Sequence, residues 1–196
     1  MLLGGYFSVQ DWIVLILMIS IAFSLTRRNP DDPTRWIPRD RFTVARWTSA
    51  VAEIAVSVFT SARAVSPVYY ALSFAGVLVF LSGAVFFYAA KSPLSSILVE
   101  EEEHGASLRP AGMYRFVRHP VFFGLFLCSL GFPVYLASLP GLAFSLVFCL
   151  PLLVKSSMTV DARWAAKAGE KYEKYRSRVR LFFPSLTSGW RKGEAV

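Results

Sequence analysis

Charge is scarce in this chain of 196 residues: only 17% are Asp, Glu, Lys or Arg, 13 acids against 21 bases, where an average soluble domain carries about a quarter. Cysteine is scarcer still. Cys128 and Cys149 are the only two, and both lie in apolar runs, so neither a disulfide framework nor a CxxC metal site can be assembled from them. No metal is expected. Internal repeats are absent, and the one low-complexity stretch is Glu100 to Glu103. Apolar surface takes the place of charge. Hydrophobic residues reach 55% and aromatics 15%, with 17 Phe, and the mean hydropathy is +0.47. The net charge of +8 does not point to nucleic acid, because a nucleic-acid binder spreads its bases over a polar surface and has no use for long apolar runs. The expected partner is the bilayer.

Between Leu2 and Leu25 the sole charge is Asp11, which leaves enough apolar chain for one helix of about 20 residues. No basic residue precedes it, which argues against a cleaved signal peptide. Tyr69 to Tyr88 is a second uncharged stretch with Tyr69, Tyr70 and Tyr88 at its ends, where an aromatic belt would place them. Pro120 to Val154 carries no charge in 35 residues, enough for two short spans joined by a turn at Ser138, Leu139, Pro140 and Gly141. Gly124, Cys128 and Gly131 on the first arm, and Gly141, Ser145 and Cys149 on the second, form stripes of small residues that let helices approach closely in lipid. The cysteines read as spacers.

Val44 to Ala62 is less apolar, yet Val51, Ile54, Val58 and Phe59 fall near helical spacing. Counting it gives five spans. Arg27, Arg28, Arg35, Arg39, Arg41 and Arg46 then share one side with Lys91, Arg109, Arg115, Arg118 and everything basic from Lys155 to Lys192, leaving only Arg63 opposite. The positive-inside rule accordingly puts the amino terminus outside and the carboxy terminus in the cytoplasm. Glu53, in the middle of the second span, is a candidate site because acids at such depth are costly. The competing readings are a pair with Arg46 or hydrogen bonds to nearby hydroxyls.

Arg28 to Arg41, with Pro30, Pro33 and Pro38, reads as a connecting loop, and Glu100 to Glu103 as a solvated acidic loop. Past the last span, Trp164, Ala168, Tyr172, Tyr175 and Val179 recur at helical spacing opposite Arg163, Lys167, Lys171, Lys174 and Arg178. That is a basic amphipathic helix suited to lie on the cytoplasmic surface, with Tyr172 and Tyr175 as interfacial anchors. The chain thus divides into a three-span region (1–107), a core of hairpin (120–159) and basic helix (108–184 together), and a flexible tail (185–196).

The sharpest motif is Gly112-Met113-Tyr114-Arg115-Phe116-Val117-Arg118-His119-Pro120. On physics alone it is a basic anchor ahead of a helix that starts at Pro120. With the apolar hairpin behind it and then Gly169-Glu170-Lys171-Tyr172-Glu173-Lys174-Tyr175, Arg178, Val179 and Pro184, it resembles the isoprenylcysteine carboxyl methyltransferases and their phospholipid methyltransferase relatives, over about Leu108 to Pro184. The resemblance implies S-adenosylmethionine as cofactor, bound by Tyr114, His119, Pro120, Tyr172 and Tyr175, with Arg118 and Asp161 as catalytic residues. Two adjacent acids are usual where this chain has Val160 and Asp161. Phe122 stands where tyrosine is common, and Leu181, preceded by Arg180, stands where an arginine is expected.

Methyl transfer from a sulfonium needs alignment and exclusion of water more than a covalent nucleophile. A carboxylate acceptor wants a cation such as Arg118, whereas an amine wants a base such as His119, Asp161 or Glu53. Phe122 and Glu53 are the candidate substrate contacts. The expectation is an all-α integral membrane protein of five transmembrane helices that methylates the carboxyl group of a lipophilic acceptor at the cytoplasmic interface. The alternatives are a phospholipid N-methyltransferase, an NADPH-dependent membrane reductase with a similar carboxy-terminal region, and a non-enzymatic carrier or scaffold using Glu53.

Overall fold

The computed structural model describes residues 9–26, 42–61, 66–91, 97–102 and 105–184. The proline-containing loop with Arg27, Arg28, Arg35, Arg39 and Arg41, the solitary Arg63, Glu103 and the tail 185–196 lie outside the described residues. Helices α1 (Val9–Thr26), α2 (Thr43–Phe59) and α3 (Pro67–Lys91) lead to a short antiparallel hairpin of β1 (Ile97–Glu102) and β2 (Gly105–Pro110). A single 3-10 turn (Gly112–Arg115) follows, then α4 (Pro120–Tyr135), α5 (Leu139–Phe144), a π-helical turn (Ser145–Cys149) and α6 (Leu150–Arg178). Pro67–Ala90 and Leu139–Ala166 are long and apolar enough to cross a membrane, while Asp11–Ser20 and Pro120–Tyr135 are shorter apolar helices.

The α3–α4 pair is the most extensive contact between helices, and its small residues explain why. On α3, Gly76, Phe80, Gly83 and Phe87 repeat at helical spacing, and on α4 so do Gly124, Cys128, Gly131 and Tyr135. Each glycine receives a larger neighbour from the other helix. A Cβ on Gly131 would come within 2.6 Å of Phe80 Cβ, and one on Gly83 within 2.6 Å of the Gly124 carbonyl oxygen and Cys128 N. Phe80 crosses Phe132 edge-on with centroids 5.7 Å apart, in a core completed by Leu15 and Met18 of α1, Ala84, Phe87 and Tyr135. The Tyr135 hydroxyl also donates to Asp11 on α1 at 3.2 Å.

Helix α2 packs on α4, α5 and the π turn through a polar face. Glu53 is 3% exposed. Its carboxylate accepts from Ser129 Oγ at 2.6 Å, from Ser145 Oγ and from Cys149 Sγ at 3.2 Å. Hydroxyl hydrogen bonding is therefore the observed arrangement, and Cys149 is more than a spacer. Toward the far end of α2, Thr60 and Ser138 share a 2.6 Å hydrogen bond.

Three expectations are corrected. The turn between α4 and α5 sits earlier, at Leu136–Ser138: Ala137 adopts φ 48°, and Ser138 caps α5 by accepting from Gly141 N at 3.0 Å, so Leu139, Pro140 and Gly141 are already helical. Glu100, Glu101 and Glu102 are strand and not loop, paired with Ser107, Ala106 and Gly105, which adds a hairpin to described residues that are otherwise mainly helical. The basic tail is no single amphipathic surface helix from Trp164 to Val179: a kink at Gly169 (φ 58°, ψ −135°), a conformation that glycine adopts without a Cβ penalty, separates its last turns from the rest of α6, and Tyr172 and Tyr175 are buried.

The tight α3–α4 contact makes a direct prediction. Gly131→Leu forces a side chain into Phe80 and is expected to lower stability in detergent by roughly 1–3 kcal/mol. Leu78→Met, at a position 49% exposed, should leave the unfolding temperature nearly unchanged. An unaltered unfolding temperature for Gly131→Leu would contradict the packing.

Candidate functional site

The residues ahead of α4 and those on α6 meet at one carboxylate. Asp161 is 3% exposed. Arg118 Nη1 donates to both of its oxygens, at 2.7 and 2.8 Å. Tyr172 O–H donates to Oδ1 at 2.7 Å, His119 Nε2 lies 3.4 Å from the same oxygen, and Arg176 Nε is 3.3 Å from Oδ2. A buried carboxylate is tolerated only when paired and hydrogen-bonded. Asp161 meets that requirement with groups drawn from both ends of the hairpin.

Local structure explains how each group arrives. Pro120 occupies the first turn of α4, where its missing N–H costs nothing, and the non-helical residues before it carry Arg118 and His119 toward α6. The backbone is tied as well. Arg118 N donates to the Arg180 carbonyl at 2.9 Å, and Val117 and Arg180 form a parallel bridge. Tyr175 O–H donates to the Tyr114 carbonyl at 2.7 Å. The kink at Gly169 turns the last part of α6 back so that Tyr172 and Tyr175 are wholly buried, their rings 5.6 Å apart and packed with Val179, Trp164 and Ala165. They are hydrogen-bonding core residues and not interfacial anchors. The interfacial placement fails because their hydroxyls find better partners inside.

Protonation follows from this burial. Desolvation raises Tyr172 and Tyr175 well above the usual tyrosine range, and pushes Tyr114 up to about 12, so all three remain neutral donors. Burial also lowers His119; its hydrogen bond and charge interaction with Asp161 oppose this, and the Arg118 charge adds to it. The imidazole is neutral at pH 7, and with Nε2–H turned to Asp161 its other nitrogen is the basic one.

One feature points to a ligand. Arg118 engages Asp161 through one terminal nitrogen rather than the two-nitrogen fork, and its Nε is buried without a hydrogen-bond partner. Such a donor is costly to leave unmade. Phe122 is 2% exposed, its ring 6.0 Å from that of His119. Val160, in the first of the two acid positions, joins Phe122, Phe126, Leu153 and Phe182 in an apolar cluster.

The structure therefore gathers Tyr114, Arg118, His119, Pro120, Phe122, Asp161, Tyr172 and Tyr175. Glu53 makes its hydrogen bonds outside this cluster. Sequence reasoning missed Arg176, which was counted only among the basic residues from Lys155 to Lys192, and the place of Arg46, whose guanidinium carbon stands 5.4 Å from the centre of the Phe122 ring. A signal for Arg176 was present: it stands four residues beyond Tyr172, one helical turn away. Among the described residues no group of His, Cys, Asp or Glu is arranged to hold a metal ion.

Residues 31–179 match a sequence family described as "Protein of unknown function (DUF1295)". No curated protein and no solved structure matches the chain.

Asp161→Asn would leave Arg118 buried without its counter-charge and is expected to cost about 3–5 kcal/mol of stability, read as a lower unfolding temperature. His119 makes a separate prediction about pH. Its folded value lies below the ordinary 6.5, so the unfolded chain binds the extra proton first. Stability should be full above pH 6.5 and decline below it, by at most about 1.4 kcal/mol per pH unit, and His119→Gln should flatten that decline.

Proposed function

We propose, on the premise that the chain belongs to the DUF1295 family, that it is an integral membrane, S-adenosylmethionine-dependent methyltransferase acting on the carboxyl group of a lipophilic acceptor. One observation carries the reading. The order Tyr114, Arg118, His119 and Pro120, then Asp161, Tyr172 and Tyr175, resembles the isoprenylcysteine carboxyl methyltransferases in sequence, and the two stretches meet in space: Arg118, His119 and Tyr172 at the Asp161 carboxylate, and Tyr175 at the Tyr114 carbonyl. The five-span arrangement, with the amino terminus outside and the carboxy terminus cytoplasmic, belongs to the same proposal. Its support is the distribution of basic residues and the helical state of α2.

When bound, the cofactor supplies a sulfonium methyl group that an acceptor oxygen can displace. The residues present fit it. Arg118 Nε offers a buried, unpaired N–H to a carboxylate such as that of the cofactor's amino-acid end. Asp161 offers negative charge to the ammonium beside it. Arg176, with its side chain 49% exposed, is the partner of Asp161 most easily exchanged for that ammonium. The Tyr172 and Tyr175 rings wall the cluster against water, which matters more to a displacement reaction than any covalent step. A carboxylate acceptor needs no base. The neutral His119 imidazole is the one observation that favours the second reading, in which the acceptor is the amine of an aminophospholipid and His119 takes its proton.

Equilibrium binding of tritiated S-adenosylmethionine and of NADPH to the full chain in detergent tests the proposal. We expect saturable S-adenosylmethionine binding without NADPH binding, and a loss of at least about tenfold in affinity, roughly 1.4 kcal/mol, for Arg118→Ala and for His119→Gln. NADPH binding in its place would favour a reductase. Binding of neither would reject both enzymatic readings.

A further inference from the structure

We infer that Glu53 and Ser57 of α2, with Ser145 of the π turn, form a binding site for one small alkali cation such as sodium, independent of the methyl-transfer reading above. The first reason is charge. Glu53 is 3% exposed, and its partners Ser129, Ser145 and Cys149 are all neutral donors. Among the described residues no Lys, Arg or His pairs with it. A carboxylate so far from water needs one positive charge beside it, a cation or a proton. A monovalent ion balances it, whereas a divalent one would strand a charge in the interior.

The second reason is the count of hydrogens. Oε2 of Glu53 accepts from both Ser129 Oγ and Cys149 Sγ. Oε1 meets Ser145 Oγ, whose one hydrogen faces two acceptors, because the Gly141 carbonyl lies 3.1 Å away on the other side. With that hydrogen on Gly141, Oε1 and Ser145 Oγ both present lone pairs, which a proton or a cation can satisfy. Ser57 decides between them. It stands one turn beyond Glu53 on the same face of α2, wholly buried, its hydroxyl without a hydrogen-bond partner. It lies against Gly141, where an added Cβ would collide with Ser57 Oγ. A proton shared by Oε1 and Ser145 leaves Ser57 stranded, whereas a hard cation takes several oxygen ligands at once. The way in is polar as well. Along the antiparallel contact of α2 with α5 and the π turn, Ser49 meets Cys149 at 3.2 Å, Glu53 meets Ser145, Ser57 meets Gly141, and Thr60 meets Ser138 at 2.6 Å. Thr60 is exposed, so an ion entering there passes the hydroxyls of Thr60 and Ser138 before it reaches Ser57.

The test uses the full chain in detergent, with sodium chloride exchanged for choline chloride at constant ionic strength. The unfolding temperature should rise by about 5 °C as sodium approaches roughly a hundred times its Kd. Glu53→Gln should lose the rise. Ser57→Ala should lose most of it, yet unfold no lower than wild type in choline, because it removes a buried hydroxyl that has no partner. Dicyclohexylcarbodiimide adds to a protonated carboxyl and not to one that holds sodium, so it should label Glu53 in choline, and sodium should block the labelling. Equal labelling of Glu53 in the two salts would make the occupant a proton and overturn the inference. An unfolding temperature indifferent to sodium would also overturn it, as would a rise undiminished in either variant. If Glu53 is labelled in neither salt, the unfolding temperatures decide; if Glu53→Gln does not fold, Ser57→Ala decides.

Discussion

A carboxylate removed from water and surrounded by apolar helices has few stable environments, and Asp161 has found one by drawing hydrogen-bond donors from two distant stretches of chain. Its partners Arg118 and His119 lie just ahead of α4, while Tyr172 and Arg176 lie on the far side of the hairpin. Much of the local geometry follows from satisfying this one group. Gly169 must turn α6 back for Tyr172 to reach it. Once that turn is made, Arg180 lies beside Arg118 and Tyr175 reaches the Tyr114 carbonyl. The clasp is costly to break from either side, because removing one member leaves an opposite charge or a donor stranded in a dry interior.

Two further contacts keep the clasp in place, and they work by different physics. The α3–α4 interface is a matter of shape: Phe80 and Phe87 enter the spaces that Gly131 and Gly124 leave open, and lengthening either glycine would separate the helices. The α2 interface is a matter of polarity. Ser129, Ser145 and Cys149 from the facing helices satisfy Glu53, and the π turn is the segment that carries Ser145 and Cys149. Ser57, one turn beyond Glu53, is buried with no partner for its hydroxyl. If these helices lie in a bilayer, as proposed, such hydrogen bonds between them would take the place of the hydrophobic force that holds helices together in solution.

Much of this was legible in the sequence, and the parts that were not have identifiable reasons. The helices at Tyr69–Tyr88 and on both sides of Ser138 follow from apolar length, and Gly124, Cys128 and Gly131 announced a close contact. Their counterparts Gly76 and Gly83 went unremarked, since a stripe shows that a helix has a neighbour without showing which. Tyr172 and Tyr175 fit an amphipathic surface helix by periodicity alone. What removes them from the surface is the backbone of Gly169, a conformation that no hydrophobic pattern encodes. The strand at Glu100–Glu102 was hidden by like charges, which read as a loop because pairing with residues 105–107 is invisible to composition. Arg46 was weighed only against Glu53 on its own helix. Its contact with Phe122 depends on α2 packing against α4, which periodicity does not determine.

The central claim is that the clasp around Asp161 is where a sulfonium donor sits, and photochemical cross-linking tests it most directly. Ultraviolet irradiation of the full chain in detergent with methyl-tritiated S-adenosylmethionine, followed by peptide mapping, should place the label on residues 112–123 and 161–176, with competition by unlabelled S-adenosylhomocysteine. Label confined to α1 or α3, or label that the competitor does not displace, would contradict the account.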